Sequence, residues 1–296
     1  MNSIELKSRA KINLSIDVLG KRKDGYHLVE MIMQTIDLYD IIKIKELGTE
    51  DIVIKSDSSD IPLDKENIVY KAINLLKNKF KINKGVEVFI QKNIPIAAGM
   101  AGGSSNAAAV LVGLNKLWKL NLSEIELQKI GFKLGADVPF CICGGAVLAS
   151  GVGEELTYIK GLHKDISILV CKPDLFVSTR DVYGGLDLES IQNRPNNKLL
   201  IDCLNREDIN IVASNMVNVL ETVTSKYHKE INEIEKIMIE NKALGSMMSG
   251  SGPTVFGLFE NKEQALRGKE KLLEKYSQVY VVNSNEKGVE IDGEFK

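Results

Sequence analysis

Cysteine is scarce in this 296-residue chain: Cys141, Cys143, Cys171 and Cys203 form no C-x-x-C pair, and no histidine is spaced to complete a zinc site. That excludes a structural zinc motif and leaves four reduced thiols as the expectation. An excess of either charge is also missing, with 38 Lys and Arg against 40 Asp and Glu and a formal charge of -2. No global field therefore draws the chain to nucleic acid or to an anionic membrane, and any anion must be held by a local device. No segment approaches the ~20 apolar residues that span a bilayer. The start, Met1-Asn2-Ser3-Ile4-Glu5, lacks the basic stretch and apolar run of a secretion signal, so a cytoplasmic address is expected. Internal repeats, low-complexity tracts and long Pro/Ser linkers are absent as well.

What is present is an ordinary globular composition, 44% apolar and 26% charged. The length suggests two domains sharing a cleft, which suits a two-substrate enzyme. Ile12, Leu14, Ile16 and Val18 alternate with polar residues at the period of a half-buried strand, placing Lys11 and Asn13 together on its polar face. Further strands are predicted at Ile41–Ile44, Ile52–Ile54 and Val86–Ile90. Asn67 caps an amphipathic helix, and Ser123 with Glu126 forms a capping-box pattern for another. The second half reads as a strand at Ile166–Val170, helices over Ile209–Lys226 and Glu230–Asn241, a strand at Thr254–Phe259, a helix over Glu263–Tyr276 and a strand at Val279–Val282. The fold class is α+β, with a strand-rich domain at 1–160 and a small α/β sandwich at 161–296.

Between the strand ending near Ile90 and a helix running to about Lys119 lies Ile94-Pro95-Ile96-Ala97-Ala98-Gly99-Met100-Ala101-Gly102-Gly103-Ser104-Ser105. Glycines here let backbone N–H groups converge, and the helix start behind them favours an anion, which together make a phosphate cradle. The Ser104 and Ser105 hydroxyls can cap the helix, bond phosphate or reach a magnesium ion. A flexible capped turn is the plain alternative, but Ala107-Ala108-Ala109 directly behind suits tight helix packing rather than a linker. There is no G-x-x-x-x-G-K-[ST], and G-x-G-x-x-G does not occur in the loop, so neither a Walker-type NTPase nor a Rossmann dehydrogenase is indicated.

This loop, together with Lys11-Ile12-Asn13-Leu14 and Ser249-Gly250-Ser251-Gly252-Pro253-Thr254, resembles the three motifs of the GHMP kinases, a superfamily that includes galacto-, homoserine, mevalonate and phosphomevalonate kinases. Arg9–Leu14, Gly20–His27, Ala98–Ala108 and Leu134–Phe140 narrow the likeness to a branch acting on a cytidine diphosphate methylerythritol in isoprenoid precursor synthesis. The resemblance implies a two-domain kinase with an N-terminal ribosomal-protein-S5-domain-2-like domain and a C-terminal ferredoxin-like sandwich, using ATP and Mg2+ on a small-molecule substrate. It implies no nucleic-acid or membrane partner, and a monomer or weak homodimer. By the same resemblance, Lys11 and Asp137 are the catalytic pair, the aspartate taking the proton of the substrate hydroxyl. Pro95, Ala97, Ala98, Gly99, Met100, Ala101, Gly102, Gly103, Ser104 and Ser105 hold the nucleotide, and Ser105 is the candidate metal ligand. Asn13, Tyr26, His27, Thr179, Tyr183, Ser249, Gly250 and Ser251 face the substrate, two aromatic rings sandwiching the cytosine while His27 reads its edge.

Taken singly these residues say less. Lys11 is also a solvated strand lysine, Asp137 also a helix cap ahead of Pro139, and Ser249–Gly252 also a glycine-rich hairpin. The competing functions are another small-molecule kinase of the superfamily, such as a mevalonate or homoserine type, and a non-catalytic nucleotide or metabolite sensor. An RNA-binding module lacks the basic face it needs.

Overall fold

The computed structural model describes residues 2–295. The chain opens with a long hairpin, β1 (Ser3–Lys21) and β2 (His27–Leu47), followed by β3 (Ile52–Ser56), α1 (Ile68–Phe80), β4 (Gly85–Gln91) and α2 (Gly102–Leu117). Next come α3 (Glu124–Phe132), α4 (Val138–Cys143), β5 (Ala146–Ser150), β6 (Glu155–Tyr158), β7 (Ser167–Lys172) and α5 (Thr179–Gly184). The remainder is α6 (Asn197–Arg206), α7 (Ile209–Ser214), β8 (Val217–Asn218), α8 (Glu221–Tyr227), α9 (Glu230–Glu240), β9 (Gly245–Met248), β10 (Val255–Phe259), α10 (Lys262–Leu273), β11 (Gln278–Asn283) and β12 (Val289–Phe295).

One sheet runs β12-β1-β2-β4-β3, with β5 on β2, β6 on β5 and β8 parallel to β1. The second is antiparallel throughout in the order β11-β7-β10-β9, with α9 and α10 packed against it. The two sheets correspond to the strand-rich part and the small sandwich expected from the sequence. The cut at residue 160 falls between the sheets' strands, yet β8 and β12 both return to β1, so 161–296 is not confined to the second sheet. No helix among the described residues is long and apolar enough to cross a membrane.

β1 decides where the site sits. Its pairing with β2 shifts register between Arg9 and Lys11 and again between Asn13 and Ser15. Even-numbered Ile4, Leu6, Ile16 and Val18 enter the core beneath the helices, whereas Ala10, Ile12 and Leu14 enter a second core shared with β7 and β10. Bulges of this kind re-aim side chains locally. Between them Lys11 and Asn13 are buried despite their polarity. The same bulges hid the full hairpin from a period-2 reading, which found only Ile12–Val18 of its first strand and Ile41–Ile44 of its second.

The helix expected over Ile209–Lys226 is two short helices separated by β8. Asn218 breaks it: its side-chain oxygen accepts the Leu220 N–H at 3.0 Å, and its amide group serves a loop elsewhere. Local bonding by Asn competes with helix continuation.

Candidate active site

A cavity of about 930 Å³ opens between the sheets, and most of the residues singled out in the sequence line it. Its floor is the glycine-rich 95–104 loop. Ala97, Gly99 and Ala101 have φ of 51°, 73° and 57°, alternating with residues of ordinary conformation. Alternation of this kind turns successive N–H groups to one side and forms an anion nest. Left-handed alanine costs roughly 1–2 kcal/mol, and strain of that kind concentrates at functional sites. α2 begins at once, and its cap residue Ala101 makes no side-chain cap bond, so the N–H groups of its first turn remain free to meet a ligand. The serines therefore do not cap this helix.

The loop is held from both sides. Asp40, fully buried, accepts the N–H groups of Asn93 and Ile94 at 2.7 and 2.8 Å and the Asn106 side-chain amide at 2.7 Å, and is ion-paired with Lys92. On the far side Ser249 donates its hydroxyl to the Gly99 carbonyl at 3.2 Å. Ala107, Ala108 and Ala109 are all fully buried, and a Cβ on Gly113 would come within 2.7 Å of Ile44, so α2 lies close on the sheet.

Lys11 donates to Asn13 Oδ1 at 2.6 Å, and its backbone N–H reaches the Met100 carbonyl at 3.2 Å. A buried ammonium with one neutral acceptor still has donors to satisfy, and its face on the cavity makes it a seat for an anion. Asp137 arrives from α4. It occupies the N-cap position with φ -78° and ψ -17°, yet its side chain makes no cap bond, which leaves the carboxylate free at the cavity wall. Among the described residues no ion pair joins Asp137 to Lys11. Both charges act on Cys141, a fully buried thiol held well above the usual range by burial and by the Asp137 charge, with Lys11 opposing. α4 is braced from behind, where a Cβ on Gly144 would stand 2.0 Å from the Gly288 nitrogen.

At the other end His27 and Tyr183 lie with ring centroids 5.1 Å apart and planes tilted by 35°. Burial, then the Lys21 charge, lowers the His27 imidazole below its ordinary value, so it is neutral at physiological pH and offers one donor and one acceptor. Burial, helped by Asp137, holds the Tyr183 hydroxyl protonated. Tyr26 is 62% exposed on the turn between β1 and β2. Thr179 and Ser251 share a hydrogen bond of 2.8 Å across the cavity.

Three expected site residues do not line the cavity. Met100 is buried, with its backbone carbonyl committed to Lys11. Ser105 is fully buried and donates its hydroxyl to the Arg9 carbonyl at 2.7 Å, so Ser104 is the serine that lines the cavity and a metal role for Ser105 is not supported. Ser249 is also buried and tethers the loop while Gly250 and Ser251 do the lining. Conversely the sequence reading missed Lys21, Lys92 and Arg180, three cations on the wall. Lys92 Nζ would lie 3.3 Å from a Cβ placed on Gly102, beside the start of α2. A lysine directly ahead of the motif was the only signal, and nothing in it fixes direction.

The 248–251 loop is itself supported by three side chains. Asn218 donates to the carbonyls of Met248 and Gly250, both at 2.8 Å, Thr224 donates to the Ser251 carbonyl at 3.2 Å, and Glu221 accepts the Met248 N–H at 2.8 Å. Glu235 of α9 is bonded to Glu221, and burial plus that neighbour's charge pushes its carboxyl up to about 8. The folded state thus keeps a proton that the unfolded chain releases from about pH 4.3 upward. Stability accordingly falls as pH rises from there through about 8 and levels off above it. In Glu235→Gln that fall should shrink, leaving the smaller part owed to buried Glu221: melting temperatures should match the parent near pH 5 and exceed it by several degrees above pH 8. Parallel melting curves across the range would show that the pair does not control this stability.

Comparison with known proteins decides the family. The GHMP kinases N terminal domain matches residues 67–145 and the GHMP kinases C terminal domain residues 200–278. The 4-diphosphocytidyl-2-C-methyl-D-erythritol kinase of Clostridioides difficile (strain 630) is 72% identical over 295 residues, covering 100% of both chains. This chain belongs to the GHMP kinases. The kinase of the same name from Alkaliphilus oremlandii is 53% identical over 98% of this chain and 100% of its own. Among solved structures, a 4-(cytidine 5'-diphospho)-2C-methyl-D-erythritol kinase superposes with a TM-score of 0.80 at 29% identity, covering 95% of this GHMP kinase and 99% of the other. A homoserine kinase from Cytophaga hutchinsonii reaches the same TM-score of 0.80 at 19% identity and shares the fold. This GHMP kinase is an ATP-dependent small-molecule kinase of two-domain architecture with mixed α and β content.

Proposed function

We propose that this chain transfers the terminal phosphoryl group of ATP to the 2-hydroxyl of 4-diphosphocytidyl-2-C-methyl-D-erythritol. The observation that carries the reading is the gathering of three groups in one cavity: an anion nest, Lys11 with the free carboxylate of Asp137, and His27 with Tyr183. Full-length identity of 72% to a kinase named for that substrate supports it.

Residues around Asn67, Ile68, Pro62 and Ile90 give the nucleotide's base an apolar seat at the outer end of the nest. The nest and the first turn of α2 then hold its phosphates by backbone N–H groups. Lys11, oriented by Asn13, sits where charge accumulates during transfer. Asp137 accepts the proton of the attacking hydroxyl, a general-base role open to it because its oxygens are not spent on capping α4. With little covalent work for the protein in a loose phosphoryl transition state, positioning and charge stabilisation supply most of the rate. Neutral His27 offers a donor and an acceptor to the edge of cytosine, Tyr183 supplies a stacking face, and Lys21 and Arg180 give the substrate's diphosphate its countercharge.

Mg2+ fits this site as a cation carried on the nucleotide. Among the described residues no group of three or more His, Cys, Asp or Glu side chains could hold a metal, and the Ser104 hydroxyl is the loop side chain available to one. Such an ion keeps most of its ligands from phosphate and water and neutralises phosphate charge. We place the enzyme in the cytoplasm as a monomer or weak homodimer, with domains divided near residue 160 apart from the strands that return to β1.

The test is substrate preference. With ATP and Mg2+, the purified protein should phosphorylate the cytidylyl substrate with a kcat/KM at least ~10³-fold above that for mevalonate or homoserine, since a site built to bond polar edges rejects ligands lacking them strongly. Comparable rates would overturn the substrate assignment. Nucleotide binding without turnover on any of the three would indicate a sensor.

A further inference from the structure

A second cavity, about 840 Å³, lies across the 93–97 segment from the first, and Pro95, Ile96 and Ala97 line both. On its other side is the end of the β7–β11 ladder. Lys172 pairs with Gln278 and Val170 with Tyr280, so Lys172, Gln278 and Tyr280 share one face of the sheet, and all three line the cavity.

Lys172 is only 9% exposed. The comparably buried lysines have partners, Lys11 in Asn13 and Lys92 in Asp40. Among the described residues the Lys172 ammonium has neither a hydrogen bond nor an ion pair, and the Gln278 amide and Tyr280 hydroxyl are likewise without hydrogen-bond partners. Burial raises the Tyr280 hydroxyl, which keeps it a proton donor. Three donors on adjacent strands that have no protein partner and whose tips open into the cavity can converge on an anionic group with several acceptor oxygens. Asp57, Asp60 and Asp174 line the remaining wall. Their charge disfavours a polyanion, while their oxygens can accept from hydroxyl groups.

We propose that this cavity binds a small hydroxylated phosphomonoester, its phosphate on Lys172, Gln278 and Tyr280 and its hydroxyls toward Asp57 and Asp60. The site adjoins the reaction cavity through Lys92 and residues 95–97, which line both, but its three donors lie outside that cavity.

Titration of the 15N-labelled full chain with glycerol phosphate tests it, because amide shifts report both cavities independently. Residues 172–174 and 278–280 should shift and saturate. In Lys172→Met, which keeps the packed alkyl stem, the apparent affinity there should fall at least tenfold while shifts at 99–104 persist. Glycerol alone should leave 172–174 unmoved, and inorganic phosphate should bind there more weakly than glycerol phosphate. Shifts confined to 99–104, equal affinity in Lys172→Met, or equal binding of glycerol phosphate and inorganic phosphate would each overturn the proposal. If Lys172→Met fails to fold by circular dichroism, Tyr280→Phe and Gln278→Leu should each weaken the 172–174 response several-fold, and an unchanged response in both would overturn it.

Discussion

Replacing Asp137 by asparagine should lower kcat by roughly 10²–10⁴-fold, the contribution of a positioned general base, while ATP binding stays within a few-fold of the parent. Asparagine keeps the size and planarity of the side chain at the N-cap position, and since the native carboxylate makes no cap bond, no helix support is withdrawn. What is lost is the acceptor for the substrate proton and one negative charge. Removing that charge from the end of the cavity where phosphate arrives should if anything tighten nucleotide binding, so a loss of ATP affinity would be the wrong signature. A drop of about 10³ in kcat corresponds to roughly 4 kcal/mol of transition-state stabilisation. Activity within tenfold of the parent would remove Asp137 from the base role. The two readouts, steady-state kcat and ATP dissociation constant by calorimetry, separate a chemical from a binding defect.

Gly99→Ala should be the most damaging of the loop substitutions. Gly99 has φ +73°, and a Cβ there would stand 2.2 Å from the Ser249 carbonyl oxygen, while a Cβ on Gly250 would meet the Gly99 carbonyl oxygen at 2.8 Å. The two glycine turns, one from each half of the molecule, lie against each other with no room for a methyl group. Left-handed alanine costs roughly 1–2 kcal/mol, and overpacking typically adds ~1–3 kcal/mol. We expect a melting temperature lower by about 5 °C or more, together with loss of measurable ATP binding in whatever remains folded. Gly103→Ala is the matched control. Its Cβ would meet only Ile68 Cγ2 at 3.8 Å, an ordinary contact, and the position has no positive φ. Stability should hold or rise slightly as the helix gains an alanine, while nucleotide affinity falls because the methyl group enters the space where phosphate approaches the backbone. If both variants melt alike, the interlocked turns do not hold the loop.

The sequence carried the pattern of this site better than its directions. Lys11 and Asn13 were legible as a pair because strand alternation puts them on one face, and the 2.6 Å bond between them follows from that. That the face is buried rather than solvated was not legible, since it depends on two register shifts set by β2. The glycine loop was recognisable from its composition, yet its neighbours divided in a way composition cannot report. Ser104 faces the cavity and Ser105 faces Arg9, one residue apart on a helix and about 100° around it. Ser249 failed for a similar reason, its hydroxyl being taken by the Gly99 carbonyl. Lys21, Lys92 and Arg180 belong to the site through tertiary placement, with no local pattern to mark them. Among the elements, the capped helices appeared where Asn67 and Ser123 signalled them, whereas α5, α6 and the short strands β5, β6 and β9 lacked a clear period.

A structure of the complex with a non-hydrolysable ATP analogue and the cytidylyl substrate tests the central claim most directly. It should show the triphosphate on the 97–104 backbone, the substrate hydroxyl about 3 Å from an Asp137 carboxylate oxygen, within the reach a general base requires, and Lys11 Nζ against the terminal phosphate. A terminal phosphate seated away from Lys11, or an acceptor hydroxyl out of reach of Asp137, would contradict the account.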